Sequence, residues 1–440
     1  MIIFAPRISG PLMSVSDGGG TPAVATPAHD EDGRFTNRNP YFLPDGKHFL
    51  YVQRGGKDAV ASVYASSIDA GQPRQILPVG SNVSYSDGYL FYVKDNTLIA
   101  QAFDPGSLAL GGKPLPIATK VEYYNPRDMA YFATSQSVLV YRNATVENRE
   151  MVWLNSDGKE LDHWGEAAPY VGGSYSLGSQ MSVLYRDNPS GRGNSLWLAD
   201  TQRKNTTRLT PDGEVEQSAV ISADGSAAFI GTTNGYLSTL VRRGLTAQGK
   251  EEKLLETNAA LYVTSVSRDG RYLIFNEQDP KTSYDLYYID LQGGRKLMTL
   301  IKTPYNEFDG RVSPNDKWLA YTSDETGTPE LYVTPFPAGG VKWQVSTGGV
   351  RQRDSNSVFD WSADGNTLYY QQGDKIYQAD VREKGDKLEF STPREFLSVS
   401  PDLMVVSLMA DGKRILAARP VGERATVSLD MVLNWQHLVR

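Results

Sequence analysis

An all-β fold is what this chain of 440 residues predicts, on three observations. Tyrosine is abundant, at 25 residues, and strand-forming runs recur along the whole length. Amphipathic helical periodicity is scarce. A turn-and-hairpin unit returns at a regular interval, which is the mark of a repeat architecture. Its clearest copy runs from Ser313 to Pro337. There a Ser-Pro-Asn-Asp turn leads into the apolar strand WLAYTS, the polar turn DETGTPE follows, and LYVTPF forms a second strand.

The anchor turn has clear relatives at Leu43-Pro44-Asp45-Gly46, Ser222-Ala223-Asp224-Gly225, Ser267-Arg268-Asp269-Gly270, Ser362-Ala363-Asp364-Gly365 and Met409-Ala410-Asp411-Gly412. Weaker copies are Tyr85-Ser86-Asp87-Gly88, Ala133-Thr134-Ser135-Gln136 and Ser176-Leu177-Gly178-Ser179. Their third residues fall at 45, 87, 135, 178, 224, 269, 315, 364 and 411, steps of 42 to 49. In order, the strands HFLYVQ, YLFYVK, VLVYRN, MSVLYR, AAFIGT, YLIFNE, WLAYTS, TLYYQQ and RILAAR follow them. A second strand comes about ten residues later in nearly every copy, as in SVYASS, SLWLAD, DLYYID and ELYVTP.

An Asp-Gly pair accepts the positive φ of a tight turn. Four short strands with three turns fill such an interval, and a four-stranded sheet cannot bury both of its faces alone. Sheets stacked radially around an axis bury them and leave only short edges. The prediction is a β-propeller of four-stranded antiparallel blades. Taken as one domain over 1–440, with N-terminal strands (IIFAP, PLMSVS, TPAVAT) sharing a blade with C-terminal ones (RILAAR, VSLDMVLNW), it is a single eight-bladed ring. Nine blades, or a six-bladed ring from about residue 165 preceded by an incomplete one, are the alternatives.

Composition bounds the function. Hydrophobic residues make up 40% and charged residues 22%, as in soluble globular proteins. A formal charge of −7 without any Lys/Arg cluster gives no footprint for nucleic acid. No apolar run reaches the length of a spanning helix, so no membrane insertion is expected. MIIFAPRISG lacks the charged start of a signal peptide and reads as a strand. Cysteine is absent, which excludes disulfides, thiol catalysis and cysteine-type zinc sites.

The motif S-x-D-G-x-x-[LI]-x-[YF], followed by [ED]-LY-V, resembles the TolB-like propeller repeat, related to the WD-type blade. NPYFLPDGKHFLYV, TPYNEFDGRVSPNDKWLAYTSDETGTPELYVTPFP, KWQVSTGG and the terminal VLNW resemble the propeller regions attached to bacterial membrane-anchored Ser/Thr protein kinases. That resemblance implies an extracytoplasmic or periplasmic sensing or scaffold module. No Gly-rich loop with a following VAIK, no HRD and no DFG occurs in the sequence.

Propeller ligands generally sit at the central channel, lined by the starts of the innermost strands. Sampling the position six before each anchor gives the channel candidates Asn37, Arg127, Tyr170, Glu216, Glu307 and Asn356, together with Val79, Leu261 and Leu403. Asp309 follows Glu307 on the same strand face by period two. Glu216, Glu307 and Asp309 form a candidate oxygen-ligand set for Ca²⁺, Mg²⁺ or Mn²⁺. The plainer account is that strand entry points are wet and polar by default.

Other motifs are near-misses. The Asp324–Glu330 turn lacks calcium-loop spacing, and Gly244–Glu251 has Glu where a phosphate loop needs a hydroxyl. Ser174–Gly178 lacks one glycine of a nucleophile elbow, and His29, His48, His163 and His437 do not pair at metal-ligand spacing. Tyr123-Tyr124-Asn125-Pro126 is a candidate contact loop for a peptide or glycan. Two functional readings follow. One is a non-enzymatic sensor or scaffold that binds a protein, peptide or small ligand at the channel mouth. The other is a divalent-metal hydrolase of esters, lactones or phosphotriesters acting within the channel.

Overall fold

The computed structural model describes all residues except 7–9, 27–34, 56–60, 70, 125–126, 145–146, 177–178, 189–192, 212–215, 235–236, 246–248, 280, 354–355, 386, 409–412, 423–427 and 440. Nearly every regular element is a strand, and the sheets are antiparallel. Among the described residues no helix is long and apolar enough to cross a membrane.

The repeat is built from its turn outward. The hydroxyls of Ser222, Ser267 and Ser362 each donate to the Asp two residues on, at 2.6 Å, and Ser313 donates to Asn315 at 2.7 Å. The same hydroxyls accept the N–H of the residue five on, as Tyr272 does to Ser267 at 2.8 Å. The acidic or amide oxygen then accepts the N–H two positions after it, as Arg271 shows at 2.9 Å. The turn's fourth residue has positive φ: 72° at Gly225, 70° at Gly270, 58° at Asp316 and 75° at Gly365. Each S-x-D-G is thus a self-closing hairpin corner. Met409–Gly412, expected to be another, lies outside the described residues.

Among the described residues, six sheets follow one another in a closed circuit. The first blade runs from Tyr170–Ser176 to Asn205–Arg208, the second from Glu216–Ile221 to Glu251–Thr257, and the third from Leu261–Val266 to Leu297–Ile301. The fourth runs from Glu307–Val312 to Trp343–Gln344, and the fifth from Phe359–Trp361 to Arg394–Ser398. The sixth is composite. Met404–Ser407 and Ile415–Pro420 pair on with Arg149–Leu154 and Glu160–Ala168 from far earlier in the chain.

Hydrogen bonds at five of the six junctions link one inner strand to the next. Ser174 donates to the Ala219 carbonyl at 2.8 Å, and the Val263 N–H to the Ser218 hydroxyl at 2.8 Å. Thr264 donates to the Gly310 carbonyl at 2.9 Å, Arg311 to the Phe359 carbonyl, and the Leu408 N–H to Asp360 at 2.6 Å. At the last junction Met404 and Val406 pack with Tyr170 and Leu184. The apolar cores lie between neighbouring sheets, as with Trp318 and Leu331 against Phe359 and Trp361, or Leu154 and Ile415 against Ile376. This is the radial stacking of a propeller.

A short pair, Gln352–Arg353 with Asn356–Ser357, stands between the fourth and fifth blades, and the other sheets draw on the chain before the circuit. Three short strands within 2–24, four strands within 35–77 and four within 84–118 are followed by a pair at 123–130. A three-stranded sheet then joins Phe132–Thr134 and Val138–Arg142 to Leu429–Leu433. Next to it Trp435, fully buried, meets Phe91 edge-on at 4.8 Å between ring centres and donates to the Ser135 carbonyl at 2.9 Å.

These pairings depart from the sequence expectation in two respects. The circuit contains six sheets where the repeat spacing predicts eight. The returning strands Ile415–Pro420 and Leu429–Leu433 pair with Arg149–Leu154 and Val138–Arg142, not with the strands at the N-terminus. The reason is side-chain fit. Leu416 and Ala418 on one face, and Ile415 and Ala417 on the other, find fully buried partners in Met151 and Val152.

Candidate functional site

Sampling by repeat falls on the first residue of an inner strand in four blades, while Leu403 stands one residue before Met404–Ser407. Tyr170, Glu216, Leu261 and Glu307 each begin an inner strand, and Asn356 begins the short Asn356–Ser357 strand just before the fifth blade. The side chains of Glu216 and Asn356 lie outside the described residues. Asn37 lies on the strand Phe35–Phe42, in a sheet before the circuit, and Arg127 in the connection between Tyr123–Tyr124 and Met129–Ala130. Asn37 is buried and donates to Thr26 at 2.8 Å, while Arg127 is exposed. Tyr170 is locked in the core. Its hydroxyl donates to the Glu166 carbonyl and accepts from Arg186 at 2.8 Å. The Arg186 guanidinium stacks on both Tyr170 and Trp197.

Glu307 and Asp309 do not share a strand face. Pairing with the next strand shifts register between Phe308 and Arg311, and Asp309 takes a φ of 56°. Such a bulge cancels the period of two. Asn276 of the third blade clamps it, donating to the Glu307 carbonyl at 2.6 Å and accepting the Asp309 N–H at 3.1 Å. The Asp309 carboxylate accepts the Ser357 N–H at 2.5 Å, a bond toward the fifth blade. The Glu307 carboxylate turns instead to the Thr303 hydroxyl. Among the described residues no three His, Cys, Asp or Glu side chains are grouped to hold a metal ion. The third member of the candidate set, Glu216, has its side chain outside the described residues, and the bonds made by Glu307 and Asp309 brace their junctions.

A carboxyl-rich junction that spacing alone did not reveal surrounds Glu307, where the third and fourth blades meet at the strand-entry end. Burial pushes Glu307 up to about 7, with Asp285 and Asp324 adding repulsion against the Thr303 hydrogen bonds. Burial likewise pushes Asp285 up to about 6 and Asp309 to about 6. Lys302 is the cation among them, 2.5 Å from Asp279 and 3.5 Å from Asp285. Asn306 ties in Asp324 through its side chain at 2.6 Å. Partly open aromatic rings adjoin the acids: Tyr284 lies 5.2 Å from Phe308 and 6.2 Å from Tyr262 between ring centres, and Tyr305 is 45% exposed.

The near-miss motifs find structural places. The Asp324–Glu330 turn joins the fourth blade's second and third strands, and Ser176 donates to the Ser222 carbonyl across a junction. Gly244–Glu251, described outside 246–248, joins the second blade's last two strands. Tyr123 donates to Asp128 at 3.2 Å, and Asn125 and Pro126 lie outside the described residues.

No protein-family model matches the chain. A curated relative, "Tricorn protease homolog 1" of Streptomyces coelicolor, is 30% identical over 111 residues, 25% of this chain and only 9% of that protein. Among solved structures, a putative TolB from Agrobacterium tumefaciens aligns with a TM-score of 0.45 and 14% identity, over 63% of this chain and all of that one. TolB from Acinetobacter baumannii aligns at 0.43 and 10%, over 90% and 82%. A tricorn protease aligns at 0.36 and 11%, over 97% of this chain and 47% of that one. The strand pairing itself is that of a propeller.

Proposed function

We propose that this propeller is a non-enzymatic binding module that takes a protein or peptide partner at the strand-entry end of the circuit, through a cationic segment of that partner. The observation that supports this reading is the junction of the third and fourth blades. Two part-exposed carboxylates, Asp279 and Asp324, stand there over the buried acids Asp285 and Glu307, with Lys302 as a cation among them, on the same junction as the partly open rings of Tyr284, Phe308 and Tyr305. Acids next to aromatic faces suit Lys or Arg, which gain both charge pairing and cation–π contact. The bonded circuit beneath keeps the groups in place without folding on binding.

The test is titration with a lysine-rich peptide and its acetylated-lysine form. The charged form should bind more tightly, should weaken with added salt, and should weaken on Asp324→Asn and Tyr284→Ala. Equal binding of both forms, or none, overturns the reading. Metal analysis, with an ester and phosphotriester panel before and after chelation, checks the catalytic alternative. Chelator-sensitive turnover would replace the binding reading with a hydrolase.

A further inference from the structure

At the opposite end of the strands, the anchor turns of neighbouring blades stack, and the junctions differ in how that contact is filled. Between the third and fourth blades Asp316 occupies the turn's fourth position. Its carboxylate reaches back to the preceding turn, accepting the Arg268 N–H at 2.7 Å and the Asp269 N–H at 3.0 Å. Two successive backbone N–H groups holding one carboxylate form an anion nest. Between the fourth and fifth blades Pro314 removes the first donor, and a Cβ on Gly365 would lie 3.5 Å from the Pro314 ring. Between the first and second blades a Cβ on Gly225 would lie 2.9 Å from Ser179.

The junction between the second and third blades is open. Gly270 stands where Asp316 stands one blade later, and a Cβ there meets nothing within 4 Å. The matching donors are the N–H groups of Ala223 and Asp224; among the described residues the Ala223 N–H has no protein acceptor, and the Asp224 N–H meets only its own carboxylate. A groove of 460 Å³ opens at this point, with Arg242, Arg268 and Arg295 among its lining residues. Arg295 is paired with Glu252 at 2.5 Å. The carboxylates of Asp224 and Asp269 accept hydrogen bonds inside their own turns, from Ser222 and Ser226 and from Ser267 and Arg271.

The geometry points to a carboxylate-binding site in this groove: a carboxyl group of a peptide partner takes the place of the Asp316 carboxylate, on the Ala223 and Asp224 N–H groups, with Arg242 and Arg268 beside it. The protein's own next junction displays the bound form of the same contact. Capture of a peptide carboxylate by a backbone nest is an established recognition mode, and guanidinium groups add charge-assisted bonds. This site lies at the other end of the strands from the acidic junction and does not rest on that reading.

Three peptides test it in low salt, by calorimetry or NMR titration of the whole chain. They are acetyl-tetra-alanine with a free C-terminus, its C-terminal amide, and acetyl-Ala-Asp-Ala-Glu-Ala amide. At least one carboxylate peptide should bind and the neutral amide should not, and whichever carboxylate binds more tightly names the source. Gly270→Asp, which installs the internal occupant at a φ that Asp316 already adopts, should weaken binding by about tenfold or more without lowering the melting temperature. Arg242→Gln combined with Arg268→Gln should weaken it comparably, and carries the test should Gly270→Asp fail to fold. Binding of the neutral amide equal to that of the acids, no binding of either acid, or full affinity in the folded variants overturns the assignment.

Discussion

Glu307 shows how one buried side chain sets a pH dependence. Its folded form holds a proton up to about pH 7, against an ordinary value of 4.5, because burial and the nearby acids penalise the charge. Between those values the folded chain binds more protons than the unfolded one, so stability falls as pH rises through the window. Asp285, pushed to about 6, acts in the same direction. Glu307→Gln keeps an acceptor for Thr303 and removes the charge. Its melting temperature should match the parent near pH 4.5 and exceed it by a few degrees at pH 8, read by thermal denaturation across pH. Glu330 is the contrasting case. Buried at the start of the fourth blade's third strand, it accepts from Ser346 at 2.5 Å, Gly348 at 2.7 Å and Gly349 at 2.9 Å. Glu330→Ala strands those donors and should cost about 2–3 kcal/mol in denaturant unfolding, with Glu330→Gln recovering part of the loss.

The anchor turn is the element most clearly written in the chain. Ser267→Ala removes a hydroxyl that both donates to Asp269 and accepts from Tyr272, and should cost about 1 kcal/mol by urea midpoint. Asp316→Gly keeps a residue at ease with positive φ while vacating the nest on Arg268 and Asp269. It should lower stability by about 1 kcal/mol and raise the number of acidic-peptide sites from one to two, read by calorimetric stoichiometry. Such turns were legible because Ser, Asp and Gly sit at fixed offsets and close on themselves. The starts of the inner strands were legible for the same reason, from Tyr170 to Glu307. The bulge at Asp309 was not, because Asn276, about thirty residues earlier, makes it. The groove at Gly270 was equally hidden. A glycine in S-x-D-G looks ordinary until the next blade's aspartate shows what belongs there.

At the scale of the molecule, closure was the part that spacing left open. Nine anchors along a line give the same interval whether the sheets form one ring or a ring with other sheets before it. The choice falls to long-range pairing between Arg149–Leu154 and Ile415–Pro420, reinforced by Arg419, which binds Glu150 at 2.7 Å and Glu160 at 2.7 Å. A chain ending at residue 402 loses both inner strands of the sixth blade and the third strand of the sheet containing Val138–Arg142. It should give no single cooperative transition in calorimetry, while Arg419→Gln should still melt cooperatively, only earlier. The composite blade also has a history in time. Once a ribosome has released the segment from Val138 to Ala168, its open edges wait for roughly 240 more residues, about 12 to 50 seconds of translation, before their partners emerge. Until then those edges are unpaired templates for any passing strand, a hazard that the finished protein no longer carries at that place.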